Sequence, residues 1–96
     1  MSAFLIVDTK IKNAEAYEKY KEQAKPIAEH YGGKYRARGG SMDVRETNLW
    51  SPTRIVIIEF PDFKSARAFV DSPEYAPVKK IRLTHADCTS FIVDGD

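Results

Sequence analysis

The sequence predicts an α+β fold: a four-stranded antiparallel sheet with helices covering one face. Three observations carry that prediction. Short β-branched apolar runs alternate with stretches of helical periodicity in the order βαββαβ. Four of the five glycines fall within Tyr31–Gly40, as pairs bracketing a five-residue segment that separates a helix from a turn. The strand segments also carry apolar residues on both of their faces, which a sheet exposed to water on one side does not do.

Ala3–Ile11 (AFLIVDTKI) reads as the first strand, apolar and closed by a polar break. Asn13 is a good N-cap, and Glu15 suits the positive end of a helix dipole. From about 14 to 31 a stripe of Tyr17, Tyr20, Ala24, Ile27, Ala28 and Tyr31 follows helical spacing. Pro26 interrupts it and is expected to kink or split the helix, and Gly32 sits where a C-cap glycine belongs. Residues 34–38 form the next strand, with Gly39-Gly40 as a bulge or bend, and 42–47 alternate as its possible continuation before a turn at 48–53. Residues 54–60 (RIVIIEF) are the clearest strand. Asp62 caps a second helix carrying Phe63, Ala66, Phe69 and Val70, and Ser72-Pro-Glu-Tyr75 opens a further helical segment facing inward through Tyr75, Val78 and Ile81. Thr89–Val93 is the last strand. This is the ferredoxin-like split βαβ order.

A chain of 96 residues is read as one domain, 1–96, with a thin core that association would help. In the strand at 54–60, Ile55 and Ile57 oppose Val56, Ile58 and Phe60. Phe4 and Ile6 likewise oppose Leu5 and Val7, and Phe91 and Val93 flank Ile92. Helices cover only one face, so the expected partner is a second copy joined through the open sheet face. The 15 basic and 14 acidic residues leave a net charge of +1, which offers no general attraction to nucleic acid or an anionic membrane. The apolar run Ala3–Val7 is too short for a signal peptide or a membrane span. Cys88 is the lone cysteine, as suits a reducing compartment, so a cytoplasmic location is expected.

Tyr31-Gly-Gly, Arg38-Gly-Gly, Ile58-Glu-Phe-Pro61 and Ser72-Pro-Glu-Tyr75, in this order, resemble the family known as domain of unknown function 1330, within the dimeric α+β barrel superfamily. The resemblance covers nearly the whole chain. It implies a ferredoxin-like protomer dimerised through its sheets. It brings no settled reaction, since the superfamily includes cofactor-free monooxygenases, lactone isomerases, haem-binding enzymes and small-ligand sensors.

Arg36 and Arg38, two apart on a strand, are expected to share a face and suit a carboxylate or phosphate; the alternative is pairing with a carboxylate or plain solvation. Glu59 lies in an otherwise apolar strand beside residues 34–38, so it must be paired, protonated or next to a cavity. Arg38 and Glu59 are the candidate catalytic pair, at the polar end of a pocket between sheet and helices, with a structural ion pair as the plainer reading. Tyr35 and Tyr75 are candidate hydroxyl donors, Arg82 a further ligand-binding residue or helix cap, and Trp50 a pocket cover or interface residue. His30 and His85, the latter placed in a loop, have no second ligand at metal-site spacing, so no metal and no cofactor are expected. The functional expectation is a homodimeric small-molecule-binding protein acting on a small anionic or carbonyl compound, by a cofactor-independent monooxygenase- or isomerase-like reaction. The alternative is a non-catalytic ligand-sensing or stress-related accessory module.

Overall fold

Two caps set the frame of the helical layer. The Asn13 side chain accepts from the Ala16 amide at 3.1 Å, and the Asp62 carboxylate accepts from the Ser65 amide at 2.7 Å. Each satisfies an amide that the first turn would otherwise leave unpaired. The computed structural model describes residues 2–96. Its elements are β1 (Ala3–Ile11), α1 (Ala14–His30), β2 (Lys34–Arg38), β3 (Ile55–Phe60), α2 (Phe63–Val70), α3 (Ala76–His85) and β4 (Ala86–Asp94). The strands form one antiparallel sheet in the order β2-β3-β1-β4, the ferredoxin-like arrangement.

The helix α1 runs unbroken through Pro26. The proline is exposed, as is Glu22, the residue four before it whose carbonyl loses its partner, so water can serve that group instead. At the other end Gly32 takes φ +91, and the Gly33 amide reaches the Ala28 carbonyl at 2.8 Å while Gly32 reaches Glu29 at 3.0 Å. This six-to-one and five-to-two pairing is a Schellman cap, which turns the chain into β2. Ser72 Oγ accepts from the Tyr75 amide at 3.1 Å, closing the turn that feeds α3.

Three stretches depart from expectation. Residues 41–53 contain no strand and are mostly exposed, so the alternation at 42–47 does not extend β2; no neighbouring strand lies there to take it up. The β-bulge falls between Tyr35 and Ala37, with Gly39 forming a bend beyond the strand. Further on, β4 starts at Ala86 directly after α3, so His85 is the last helical residue and its carbonyl accepts from the Lys12 amide at 2.8 Å.

The core lies between sheet and helices. Leu5, Val7, Val56, Ile58 and Phe60 face Ala24, Ala28, Ala66, Phe69, Tyr75 and Val78, all buried. The other face of the sheet presents Phe4, Ile6, Ile55, Ile57, Phe91 and Val93 with no layer over it. Phe91 is 40% exposed and Val93 44%.

Asp8 stands at the edge of that face, buried, and ties down the long irregular segment. Its Oδ1 accepts from the amides of Thr53 and Arg54, both at 2.9 Å, and its Oδ2 accepts from Trp50 Nε1 at 2.9 Å. Burial alone would raise the carboxyl pKa, but the bonds from Arg54, Thr53 and Trp50 outweigh it and hold the group below its ordinary value of 3.8. The stabilisation is therefore complete above that value and is lost as pH falls through the lower folded pKa. Asp8→Ala should cost about 2 kcal/mol in urea unfolding near neutral pH, because it orphans three donors. It should also flatten the acid limb of the stability–pH profile, and an unchanged acid limb would contradict the assignment.

Candidate functional site

A narrow cleft opens between α1 and the β2–β3 side of the sheet. It holds about 410 Å³ of non-atom space, open mouth included. The floor is Leu5, Val7, Val56 and Ile58, and aromatic rings of Tyr17, Tyr20, Tyr35, Phe69 and Tyr75 form the walls. The closed part has room for only a water or two, so a ligand must part the side chains at the mouth.

Two guanidinium groups stand at that mouth. The Arg38 guanidinium lies over the Tyr35 ring, 4.9 Å from its centroid, and that of Arg54 over Tyr17 at 5.9 Å. Such stacking holds a cation while leaving its hydrogen-bond donors free. Among the described residues neither arginine forms a salt bridge. Both act on the field at Glu18, which is itself bonded to Lys21 at 2.8 Å. Burial pushes the Tyr35 hydroxyl up to about 12, against the pull of Arg38, so the phenol is neutral at physiological pH.

The inner end is polar in a different way. Tyr20 and Tyr75 hydroxyls lie 2.7 Å apart. Behind them Arg82, on α3, is only 4% exposed. Its Nε has no partner, and the Tyr75, Tyr20 and Cys88 side chains are the polar groups that act on its charge. Burial works against the Arg82 charge, the Tyr75 and Tyr20 oxygens work for it, and the net direction is upward, so the cation persists. Burial likewise raises the Tyr20 hydroxyl.

The bulge in β2 explains which arginine reaches the cleft. Tyr35 pairs with Ile58 and Arg38 with Val56, both on the helix side, whereas Lys34 pairs with Glu59 and Ala37 with Ile57 on the open side. Arg36 and Arg38 therefore do not share a face, because the extra residue between Tyr35 and Ala37 resets the alternation. Arg36 Nε binds Glu59 Oε1 at 2.8 Å, and Ser2 Oγ donates to Glu59 Oε2 at 2.5 Å. The Ser2 and Arg36 bonds hold the Glu59 carboxyl below its usual range. The expected Arg38–Glu59 pair is thus replaced by Arg36–Glu59, on the opposite side of the sheet from the cleft.

Of the residues singled out from sequence, Arg38, Tyr35 and Tyr75 come together, with Arg82 directly behind Tyr75. Glu59 and Trp50 do not join them; Trp50 packs edge-on to Phe91 at 6.2 Å on the open face. Arg54 went unrecognised because its place before four aliphatic residues reads as a strand end. Tyr17 and Tyr20 read as helix stripe, and their polar ends were the available signal.

The topology and the cleft define a ferredoxin-like α+β protein with an aromatic, arginine-flanked site. The chain belongs to the family described as domain of unknown function 1330, whose model matches residues 2–96. A protein of unknown function from Rhodopseudomonas palustris is similar in structure, with TM-score 0.76 at 18% identity, covering 99% of this chain and 82% of that one. SnoaB, a cofactor-independent oxygenase from Streptomyces nogalater, superposes with TM-score 0.73 at 10% identity over 99% of this chain and 93% of its own. A dimeric ferredoxin-like protein of unknown function from a Jannaschia species gives TM-score 0.61 at 15% identity over 100% and 99%. These likenesses are of fold. No curated protein matches the chain.

Gly39 takes φ +73, and a Cβ there would lie 2.7 Å from Arg54 Nε, whereas nothing lies within 4 Å of a Cβ at Gly40. Gly39→Ala should therefore lower stability by about 1 kcal/mol, and Gly40→Ala should stay within about 0.5 kcal/mol of the parent. Paired urea titrations check the contrast, and equal effects would contradict it.

Proposed function

We propose that this chain acts as a homodimer, joined through the open sheet face, that binds a small anionic or carbonyl compound in the cleft of each subunit. The observation that carries the binding half is the pair of stacked guanidiniums, Arg38 and Arg54, at the mouth of a pocket otherwise lined by rings and aliphatic side chains. A ring stacks on such walls and an acidic group meets the cations, a combination typical of small-molecule sites. Support for the homodimer half is the uncovered apolar face, where exposure of several large side chains at about 1.5–3 kcal/mol each is costly, together with the dimeric state named for the Jannaschia neighbour.

A cofactor-independent reaction, of the kind SnoaB's description names, is the catalytic extension of this proposal, and it rests on shared fold. The titratable groups that line the cleft are tyrosines, a lysine and two arginines. They bind and polarise an oxygen, so a reaction there would draw on the acidity of the compound itself. A cytoplasmic site of action, resting on the lone Cys88 thiol, belongs to the same proposal.

Benzoate serves as the simplest probe. It should raise the melting temperature and give a saturable calorimetric titration, and Arg38→Ala and Arg54→Ala should each weaken it by about tenfold. Absence of binding to benzoate and to other small aromatic acids would overturn the ligand half of the reading. For the dimer, sedimentation should show twice the 10.9 kDa chain mass at micromolar concentration. Ile57→Glu, which places a charge at the centre of the open face, should shift it to the monomer. A monomeric parent protein would refute the arrangement.

A further inference from the structure

The two arginines at the cleft mouth are held in different ways. Arg38 belongs to β2, and its backbone is fixed by the strand pairing of Arg38 with Val56. Arg54 stands just before β3 opens at Ile55, where the irregular stretch 41–53 ends. What fixes it comes from β1. The Thr9 amide donates to the Arg54 carbonyl at 3.0 Å, and the Arg54 amide donates to Asp8 Oδ1 at 2.9 Å. The same oxygen takes the Thr53 amide at 2.9 Å, and Asp8 Oδ2 takes Trp50 Nε1 at 2.9 Å. One carboxylate therefore pins the whole approach to Arg54. The guanidinium beyond it has a seat of one shape. It lies over the Tyr17 ring, 5.9 Å from the centroid, and against the bare Cα of Gly39, where a Cβ would come within 2.7 Å of Nε and 3.1 Å of Cζ.

Asp8 itself does not line the cleft. It follows Phe4 and Ile6 on the open side of β1 and is 8% exposed, while the Arg54 side chain lies on the helix side. An arginine that is already placed loses little further freedom when it grips an anion, and one that is loose must be ordered by the ligand. We infer that Asp8 is a positioning residue for anion binding: from the opposite face of the sheet it sets where Arg54 stands, and thereby the affinity of the cleft for an acidic group. The inference rests on the binding reading above and adds to it a residue that the ligand never meets. A carboxylate with a structural role alone would stabilise the segment without bearing on the cleft. The two roles part once Arg54 is gone.

The test is a double-mutant cycle on benzoate affinity, read by calorimetry on the full chain. Asp8→Ala should weaken benzoate about fivefold in the parent protein, the scale of ordering one arginine side chain. In the Arg54→Ala background, where nothing remains to be positioned, the same substitution should leave the affinity within about twofold. Asp8→Asn supplies the conservative comparison. Its oxygen can keep the Thr53 and Arg54 amides, but its amide group then meets the Trp50 N–H, donor against donor. Asp8→Asn alone should weaken benzoate, and adding Trp50→Phe, which removes the conflict, should restore it to within about twofold of the parent. That pair carries the test by itself if circular dichroism shows that Asp8→Ala does not fold. An effect of Asp8→Ala equal in both backgrounds, or none in the parent, would overturn the inference and leave the arginine mouth intact. So would a failure of Trp50→Phe to restore binding to Asp8→Asn. Failure of the parent to bind benzoate or other small aromatic acids would overturn the binding reading, and this inference with it.

Discussion

The β-bulge between Tyr35 and Ala37 gives β2 one more residue than the stretch of β3 it pairs with, and the consequences reach both faces of the sheet. In a strand of unbroken period, Arg36 and Arg38 point the same way. With the extra residue they part: Arg36 stays on the open side with Glu59, and Arg38 crosses to the helix side to lie over Tyr35. The open face thereby neutralises its one central carboxylate locally, and the cleft receives a cation with no carboxylate attached. Gly39 follows immediately, and its positive φ turns the chain away so closely past Arg54 that a side chain there would collide with that guanidinium. One extra residue and one left-handed glycine bring two arginines to the same mouth.

Asp8 links the two faces a second time. Its carboxylate holds the amide of Arg54, whose side chain belongs to the cleft, and the indole of Trp50, which belongs to the open face. A second subunit that covers Trp50 and Phe91 would exclude water from these bonds and strengthen them. Arg54 would then be held more firmly where it meets a ligand. In the proposed dimer the interface and the cleft would be coupled through one buried side chain, by hydrogen bonds that exist within the single chain.

Much of this was legible in the sequence, and the reason is periodicity. The helix stripe from Tyr17 to Tyr31, the caps at Asn13 and Asp62, and the two-faced strand at 54–60 each repeat a local rule, so spacing alone reveals them. The bulge is different in kind. Lys34-Tyr-Arg-Ala-Arg38 alternates faultlessly in composition, and only the pairing partner shows that one residue is surplus. The Arg38–Glu59 expectation failed for that reason alone. Arg82 was singled out as a ligand-binding residue or helix cap, but nothing in Lys79-Lys-Ile-Arg82 marks it as buried, and its burial follows from how α3 lies against α1 and β4. The Tyr20–Tyr75 contact joins residues 55 apart, which no local rule reaches.

The buried guanidinium is the feature that stability alone does not account for. An apolar side chain of similar volume at position 82 would pack between α3 and β4 with no desolvation penalty, and such replacements are often neutral or favourable. An arginine there costs free energy unless its hydrogen bonds are met, and one of its nitrogens has none. The Tyr75 and Tyr20 oxygens favour that charge, and both phenols line the cleft, so the buried Arg82 bears on the inner end of the same pocket whose mouth carries Arg38 and Arg54.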